Sequence, residues 1–213
     1  MYLHFQNLLP LYFEESRKQT SEIWGKDLRF EKGEMIKIVA PSGSGKTSFS
    51  HFVYGTRSDY SGSICYDNND IRQFSFENFA GWRKHNISIV FQDLRLFPEQ
   101  TVFENIDIKR QLNPFHPQEK IKELTERLGI GKKLASKAKT CSYGEQQRVA
   151  IIRALMQPFD FLILDEPFSH LDNVNRLTAM ELMTEEANKR GAAIILADLQ
   201  RVDFFPYTKI FQL

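Results

Sequence analysis

Eight consecutive residues constrain this chain more than any others. Ala40-Pro41-Ser42-Gly43-Ser44-Gly45-Lys46-Thr47 closes an apolar run, Met35–Ala40, and opens a helical pattern, Lys46–Tyr54. A strand that enters a glycine-rich turn and passes directly into a helix is the setting of a phosphate-binding loop. Gly43 and Gly45 permit φ > 0 and let the backbone come close to an anion. The amides of the turn and of the helix start then point at that anion. Lys46 supplies a point charge for the β- and γ-phosphates, and the Thr47 hydroxyl a ligand for Mg²⁺. A purely structural strand–turn–helix is the alternative, and Gly-Lys-Thr in this context argues against it. The first position of the pattern, usually Gly, is Ala40.

A second motif completes the chemistry. Phe161-Leu162-Ile163-Leu164 runs into Asp165-Glu166-Pro167. Successive side chains on a strand point to opposite faces, so the two acids can serve different tasks. Asp165 is expected to hold Mg²⁺ through a water, and Glu166, at the strand tip, to act as general base on an attacking water. Alone, two acids after a strand are as well explained by a solvated strand end; the phosphate loop upstream makes the catalytic reading the stronger one.

The rest of the chain suits an α/β fold. Met35–Ala40, Ile87–Phe91, Phe161–Leu164 and Ala193–Ala197 read as strands, mostly continuous apolar ones, as in a parallel sheet covered on both faces. Gln118–Leu128, Gly144–Met156 and Val174–Arg190 read as helices alternating with them. Leu28–Glu31, a Lys32-Gly33 turn and Ser63–Tyr66 look like antiparallel strands flanking the main sheet. Pro98, Pro114 and Pro117 break the middle, where a mostly helical insertion is expected between about Leu94 and Gln157.

Composition excludes several function classes. The 213 residues carry a formal net charge of +1, with no long basic stripe to attract nucleic acid or an anionic membrane. No apolar run approaches the roughly 18 residues of a membrane span, and Met1–Pro10 lacks the features of a secretory signal. Cys65 and Cys141 are too few for a disulfide framework, so a reducing cytoplasm is expected. Work at a membrane would need spanning helices from another chain.

Downstream of the loop lies Cys141-Ser142-Tyr143-Gly144-Glu145-Gln146-Gln147-Arg148, which resembles the signature of ABC ATPases, Leu-Ser-Gly-Gly-Gln or -Glu followed by Gln-Gln-Arg. Val90-Phe91-Gln92-Asp93 is similar to that family's Q-loop, and Ser169-His170-Leu171-Asp172 to its D-loop. Tyr12 stands where the family places an adenine-stacking aromatic. Phe91-Gln92-Asp93-Leu94-Arg95-Leu96-Phe97-Pro98 and Thr101-Val102-Phe103-Glu104-Asn105 resemble the branch serving lipoprotein release, macrolide export and the cell-division permease complex. The resemblance implies a P-loop NTPase fold of the ABC-ATPase type. Residues 1–93 and 158–213 would form a RecA-like parallel-sheet core with an antiparallel β subdomain, and residues 94–157 a helical subdomain carrying the signature.

The resemblance also implies roles. Tyr12, Ser42, Gly43, Ser44, Gly45, Lys46, Thr47 and Ser48 would bind ATP. Ser142, Gly144 and Glu145 would face ATP held by a second copy or a paired cassette. Thr47, Gln92 and Asp165 would attend Mg²⁺, and Glu166, Gln92 and Lys46 would carry hydrolysis. A helix that starts near Gly144 presents free amides and a positive dipole end to that phosphate. The partner implied is an integral-membrane permease, with the chain peripheral on the cytoplasmic face. The apolar residues Leu94, Leu96, Phe97 and Phe103 either line the groove that receives it or belong to the internal core.

Departures from the family pattern mark where the reading is exposed. Cys141 replaces Leu and Tyr143 replaces Gly. Asp198 is read in the register of a His that follows the last core strand and contacts the γ-phosphate; an anion there either points away, with His170 compensating, or slows hydrolysis. Three functions stay open on sequence: a subunit driving a permease, a nucleotide-gated assembly module with weak hydrolysis, and a soluble ABC protein acting on ribosomes or DNA. The motif set favours the first.

Overall fold

The computed structural model describes residues 1–13, 20–41, 43–199 and 204–213. Its first half runs β1 (Tyr2–Pro10), β2 (Asp27–Glu31), β3 (Met35–Val39), α1 (Lys46–Val53), β4 (Tyr60–Tyr66), β5 (Asn69–Asp70), α2 (Phe76–His85) and β6 (Ile87–Val90). The second half runs α3 (Val102–Leu112), α4 (Glu119–Arg127), α5 (Tyr143–Leu155), β7 (Phe161–Asp165), α6 (Asn173–Arg190), β8 (Ala193–Asp198) and β9 (Lys209–Gln212).

Five strands form a parallel sheet in the order β6-β7-β8-β3-β9. Both faces are covered, which is why its inner strands are apolar at nearly every position. Phe161, Ile163, Ala193, Ile195 and Ala197 share one face with Phe49 and Phe52 of α1. Leu162, Leu164, Ile194 and Leu196 share the other with Ile151 of α5 and Met180 and Met183 of α6. Four further strands make an antiparallel sheet in the order β2-β1-β4-β5. β2 and β4 coincide with the expected antiparallel strands, and β1 is an addition to them. Leu3 and Phe5 are buried while Gln6 is exposed, an alternation spread over a segment of mixed polarity.

α2 and α3 are also additions to the expected helices. Each starts at a capping box: Ser75 with Asn78, and Thr101 with Glu104. α6 is joined to the segment before α4 by a buried carboxylate. Glu186 meets His116, Lys120, Lys189 and Arg190; burial raises its carboxyl, but the hydrogen bonds from His116, Arg190 and Lys189 outweigh it and hold it far below the usual range. Arg190 lies over the rings of Phe115 and Phe159 as well. No helix among the described residues is long and apolar enough to cross a membrane.

Candidate nucleotide site

The phosphate loop leaves β3 at the sheet's carboxyl edge and turns into α1. Gly43 (φ 77°) and Gly45 (φ 100°) both occupy the left-handed region, where an L side chain is strained. A Cβ on Gly45 would also come 3.1 Å from the Trp24 ring. Trp24 braces the loop from outside, its indole N–H donating to the Ser44 carbonyl at 3.3 Å. The Ser44 hydroxyl donates to the Pro41 carbonyl at 2.7 Å. Ala40 is buried and not at positive φ, so a methyl group there is accommodated. Ser42, expected among the phosphate ligands, lies outside the described residues.

Lys46 is buried and folds back along the loop. Its ammonium donates to the carbonyls of Ala40 (3.0 Å) and Pro41 (3.1 Å) and lies 3.3 Å from Glu166 Oε1. The Thr47 hydroxyl donates to Gln92 Oε1 at 3.1 Å, and Gln92 Nε2 is 3.4 Å from Glu166 Oε2. Lys46, Thr47, Gln92 and Glu166, distant in sequence, therefore form one polar cluster.

Glu166 reaches the cluster through its backbone. Its φ of 48° is left-handed, an arrangement that costs about 1 kcal/mol or more for a non-glycine residue. Its amide is held by the Ala197 carbonyl at 2.9 Å, and its carbonyl by Gln147 Nε2 at 3.2 Å. Asp165, one residue earlier, is fully buried, and among the described residues neither carboxylate oxygen meets a hydrogen-bond partner in good geometry. Burial, chiefly, pushes its carboxyl up to about 6; the nearby Thr47 hydroxyl opposes this, and the charge of Glu166 adds to it.

Tyr12 and Ser48 meet at the loop's far side, hydroxyl to hydroxyl, and Arg57 Nη1 donates to Ser48 Oγ at 3.0 Å. The Tyr12 ring is exposed, with the Arg57 guanidinium 5.4 Å from its centre. Arg57 carried no signal in sequence, because nothing in its local pattern points toward Tyr12.

Ser142, Gly144 and Glu145 stand at the start of α5. Ser142 Oγ accepts from the Glu145 amide (3.3 Å) and Glu145 Oε2 from the Ser142 amide (2.8 Å). The Glu145 carboxylate is thus engaged in a helix cap and an ion pair with Lys133, and its pKa is lowered chiefly by the Ser142 amide. A Cβ on Gly144 would sit 2.7 Å from the His170 carbonyl, so the glycine is needed for packing within this chain. Tyr143 is the first residue of α5 and is not at positive φ, so a side chain fits there. Cys141 is buried in the apolar core.

Three expectations meet the structure here. Asp198 does not face the phosphate loop. Along β8 the side chains alternate: Ile195 and Ala197 lie on the α1 face, whereas Ile194, Leu196 and Asp198 lie on the other. The Asp198 carboxylate is 3.9 Å from Lys37 and accepts from the Leu199 amide. Ala197, paired in register with Asp165, occupies the position beside the loop. His170 is likewise engaged elsewhere, bonded to Ser169 and packed on Tyr143. The apolar residues after Gln92 are not all surface. Leu94 is 3% exposed and lies in the core, with Leu96 and Phe103 packed against it; Phe97 is 50% exposed.

Comparison with known proteins agrees with this geometry. Residues 25–169 match the family described as ABC transporter. The lipoprotein-releasing system ATP-binding protein LolD of Idiomarina loihiensis is 29% identical over 88% of this chain and 85% of its own length. LolD of Shewanella denitrificans is 30% identical over 89% of this chain and 83% of its own. The macrolide export ATP-binding/permease protein MacB of Nitrosomonas europaea is 32% identical over 91% of this chain but only 30% of its own length. A bacterial ABC transporter cassette solved as a dimer shares the fold with a TM-score of 0.83 at 24% identity, covering 99% of this chain and 94% of that one.

Proposed function

The chain belongs to the ABC transporter family as an ATP-binding, ATP-hydrolysing subunit, and on that premise we propose how its residues divide the work. The observation that carries the assignment is the convergence of Lys46, Thr47, Gln92 and Glu166 beside the buried Asp165. Lys46 and the amides of residues 43–47 take the phosphates, and the exposed Tyr12 ring takes the base.

A divalent cation fits the remaining groups. Asp165 is a buried carboxylate with no well-formed hydrogen bond among the described residues, a costly arrangement unless a cation or water answers it. Thr47 and Gln92 present oxygens next to it. Mg²⁺ held there, with Asp165 acting through water, would offset the charge of the phosphates. Glu166, turned toward Lys46 by its left-handed backbone, accepts the proton of the attacking water.

The start of α5 serves a second copy or a paired cassette. Its capping box leaves the Ser142 hydroxyl able to donate, and the helix N-terminus favours an anion. A separate permease supplies the membrane helices and places this chain on the cytoplasmic face. Its docking site is a groove of about 330 Å³ bordered by Phe97, Phe103 and Ile108. Buried Asn105 holds Phe97 outward by bonding both its amide (2.8 Å) and its carbonyl (3.0 Å). MacB, whose name joins ATP-binding and permease functions, supports the pairing.

A second reading, a nucleotide-gated module with weak hydrolysis, draws on Ala197. No polar side chain stands at that position of β8 on the phosphate-loop face. ATP turnover by the chain alone and with its permease tests the assignment. The permease should stimulate turnover, and Phe97→Asp should remove the stimulation while leaving ATP affinity unchanged. Unaltered stimulation in that variant would refute the docking site.

A further inference from the structure

Gln92 is the centre of the polar cluster, and its main chain is held from outside. Its carbonyl accepts from the Tyr143 hydroxyl at 3.3 Å. The Tyr143 ring packs on His170, with centroids 4.2 Å apart. The His170 amide donates to Gln147 Oε1 at 3.1 Å, and Gln147 Nε2 donates to the Glu166 carbonyl. One side chain thus touches both the Gln92 turn and the segment that follows Glu166.

The same helix holds the turn a second time. Leu94 (φ 58°) and Arg95 (φ 47°) are consecutive left-handed residues. Their carbonyls accept from Arg153, near the end of α5, at 2.5 and 2.7 Å. Residues 92–95 are therefore suspended from α5 by Tyr143 at one end and Arg153 at the other. Tyr143 is 44% exposed, so core packing does not account for its contacts.

We infer that Tyr143 is a positioning residue for nucleotide binding: its hydroxyl, braced by His170, sets the Gln92 main chain so that the Gln92 amide reaches Thr47 and Glu166. The inference rests on the nucleotide-site reading above. A tyrosine in place of the family's glycine here makes the signature helix and the Gln92 turn a single body within one chain.

The test is calorimetry of the full chain with a non-hydrolysable ATP analogue, with Mg²⁺ and with excess chelator. The proteins are wild type, Tyr143→Phe, Gln92→Ala and the double variant. Tyr143→Phe keeps the ring on His170 and removes only the hydroxyl. It should weaken Mg²⁺-dependent binding roughly 3- to 10-fold, the range of one hydrogen bond. Metal-free binding and the melting temperature should stay unchanged. The effect should vanish when Gln92 is Ala, because the tether then positions nothing. An equal loss without Mg²⁺, a loss that persists in the Gln92→Ala background, or no loss at all would overturn the inference. Wild type that binds the analogue with no Mg²⁺ dependence would overturn the site reading, and the inference with it.

Discussion

The Lys46 ammonium lies 3.3 Å from Glu166 Oε1, joining the cation of the phosphate loop to the carboxylate at the end of β7. The two residues sit on different elements, and each is turned toward the other by local backbone. Lys46 is gathered in by the Ala40 and Pro41 carbonyls, and Glu166 by its left-handed φ. Phosphate oxygens would compete with the Glu166 carboxylate for the same ammonium.

Lys46→Ala therefore removes a charge-assisted contact to the nucleotide. ATP affinity should fall by about 10- to 100-fold, the range of hydrogen bonds to charged groups. Isothermal calorimetry measures it. Unchanged affinity would mean that Lys46 faces no phosphate.

Asp165 predicts a pH dependence of a definite sign. Its carboxyl is raised from 3.8 to about 6 in the fold. Between about pH 4 and 6 the native state keeps a proton that the unfolded chain has lost, so stability falls as pH rises through that window and levels off above it. Asp165→Asn should stabilise the nucleotide-free protein at pH 7 by about 2–3 kcal/mol. At pH 4 the two proteins should melt alike. The same variant should lose the extra stability that wild type gains from Mg²⁺ with ATP. A variant less stable than wild type at pH 7 would show that the carboxylate has a partner in the fold.

Ala197 predicts slow turnover. No polar side chain on β8 stands on the phosphate-loop face at the level of Asp165, where Ala197 lies. Ala197→His should raise single-turnover hydrolysis at least several-fold, up to the roughly 10²- to 10³-fold attributed to one transition-state donor. Asp198→His should not raise it, since that side chain lies toward Lys37. A gain in the Asp198 variant alone would reverse the assignment of faces.

The contrast shows which parts of the site were legible in the sequence. Lys46, Thr47, Asp165 and Glu166 belong to short segments whose residue order carries the chemistry, and the apolar strands around them name the fold. Asp198 was misassigned because a one-residue change of register exchanges the faces of a strand, and a run as apolar as Ala193–Ala197 offers no alternation to fix it. Leu94 is open to either a surface or a core reading because its neighbours are polar and proline-rich; Arg153, from a distant segment, holds it inside. Arg57, Trp24 and Tyr143 act through contacts between remote segments, which periodicity does not report.

Reciprocal pairing of two copies around ATP is the central claim, and Glu166→Gln tests it most directly. The substitution keeps the shape at the tip of β7 and removes the base, lowering hydrolysis by about 10²- to 10⁴-fold. The measurement is the mass of this variant by light scattering, with and without saturating Mg·ATP. The expected result is a doubling of mass that requires ATP and is abolished by Ser142→Arg, which leaves ATP binding in each copy intact. A protein that binds ATP yet keeps the monomer mass would contradict the account, and so would a dimer indifferent to Ser142→Arg.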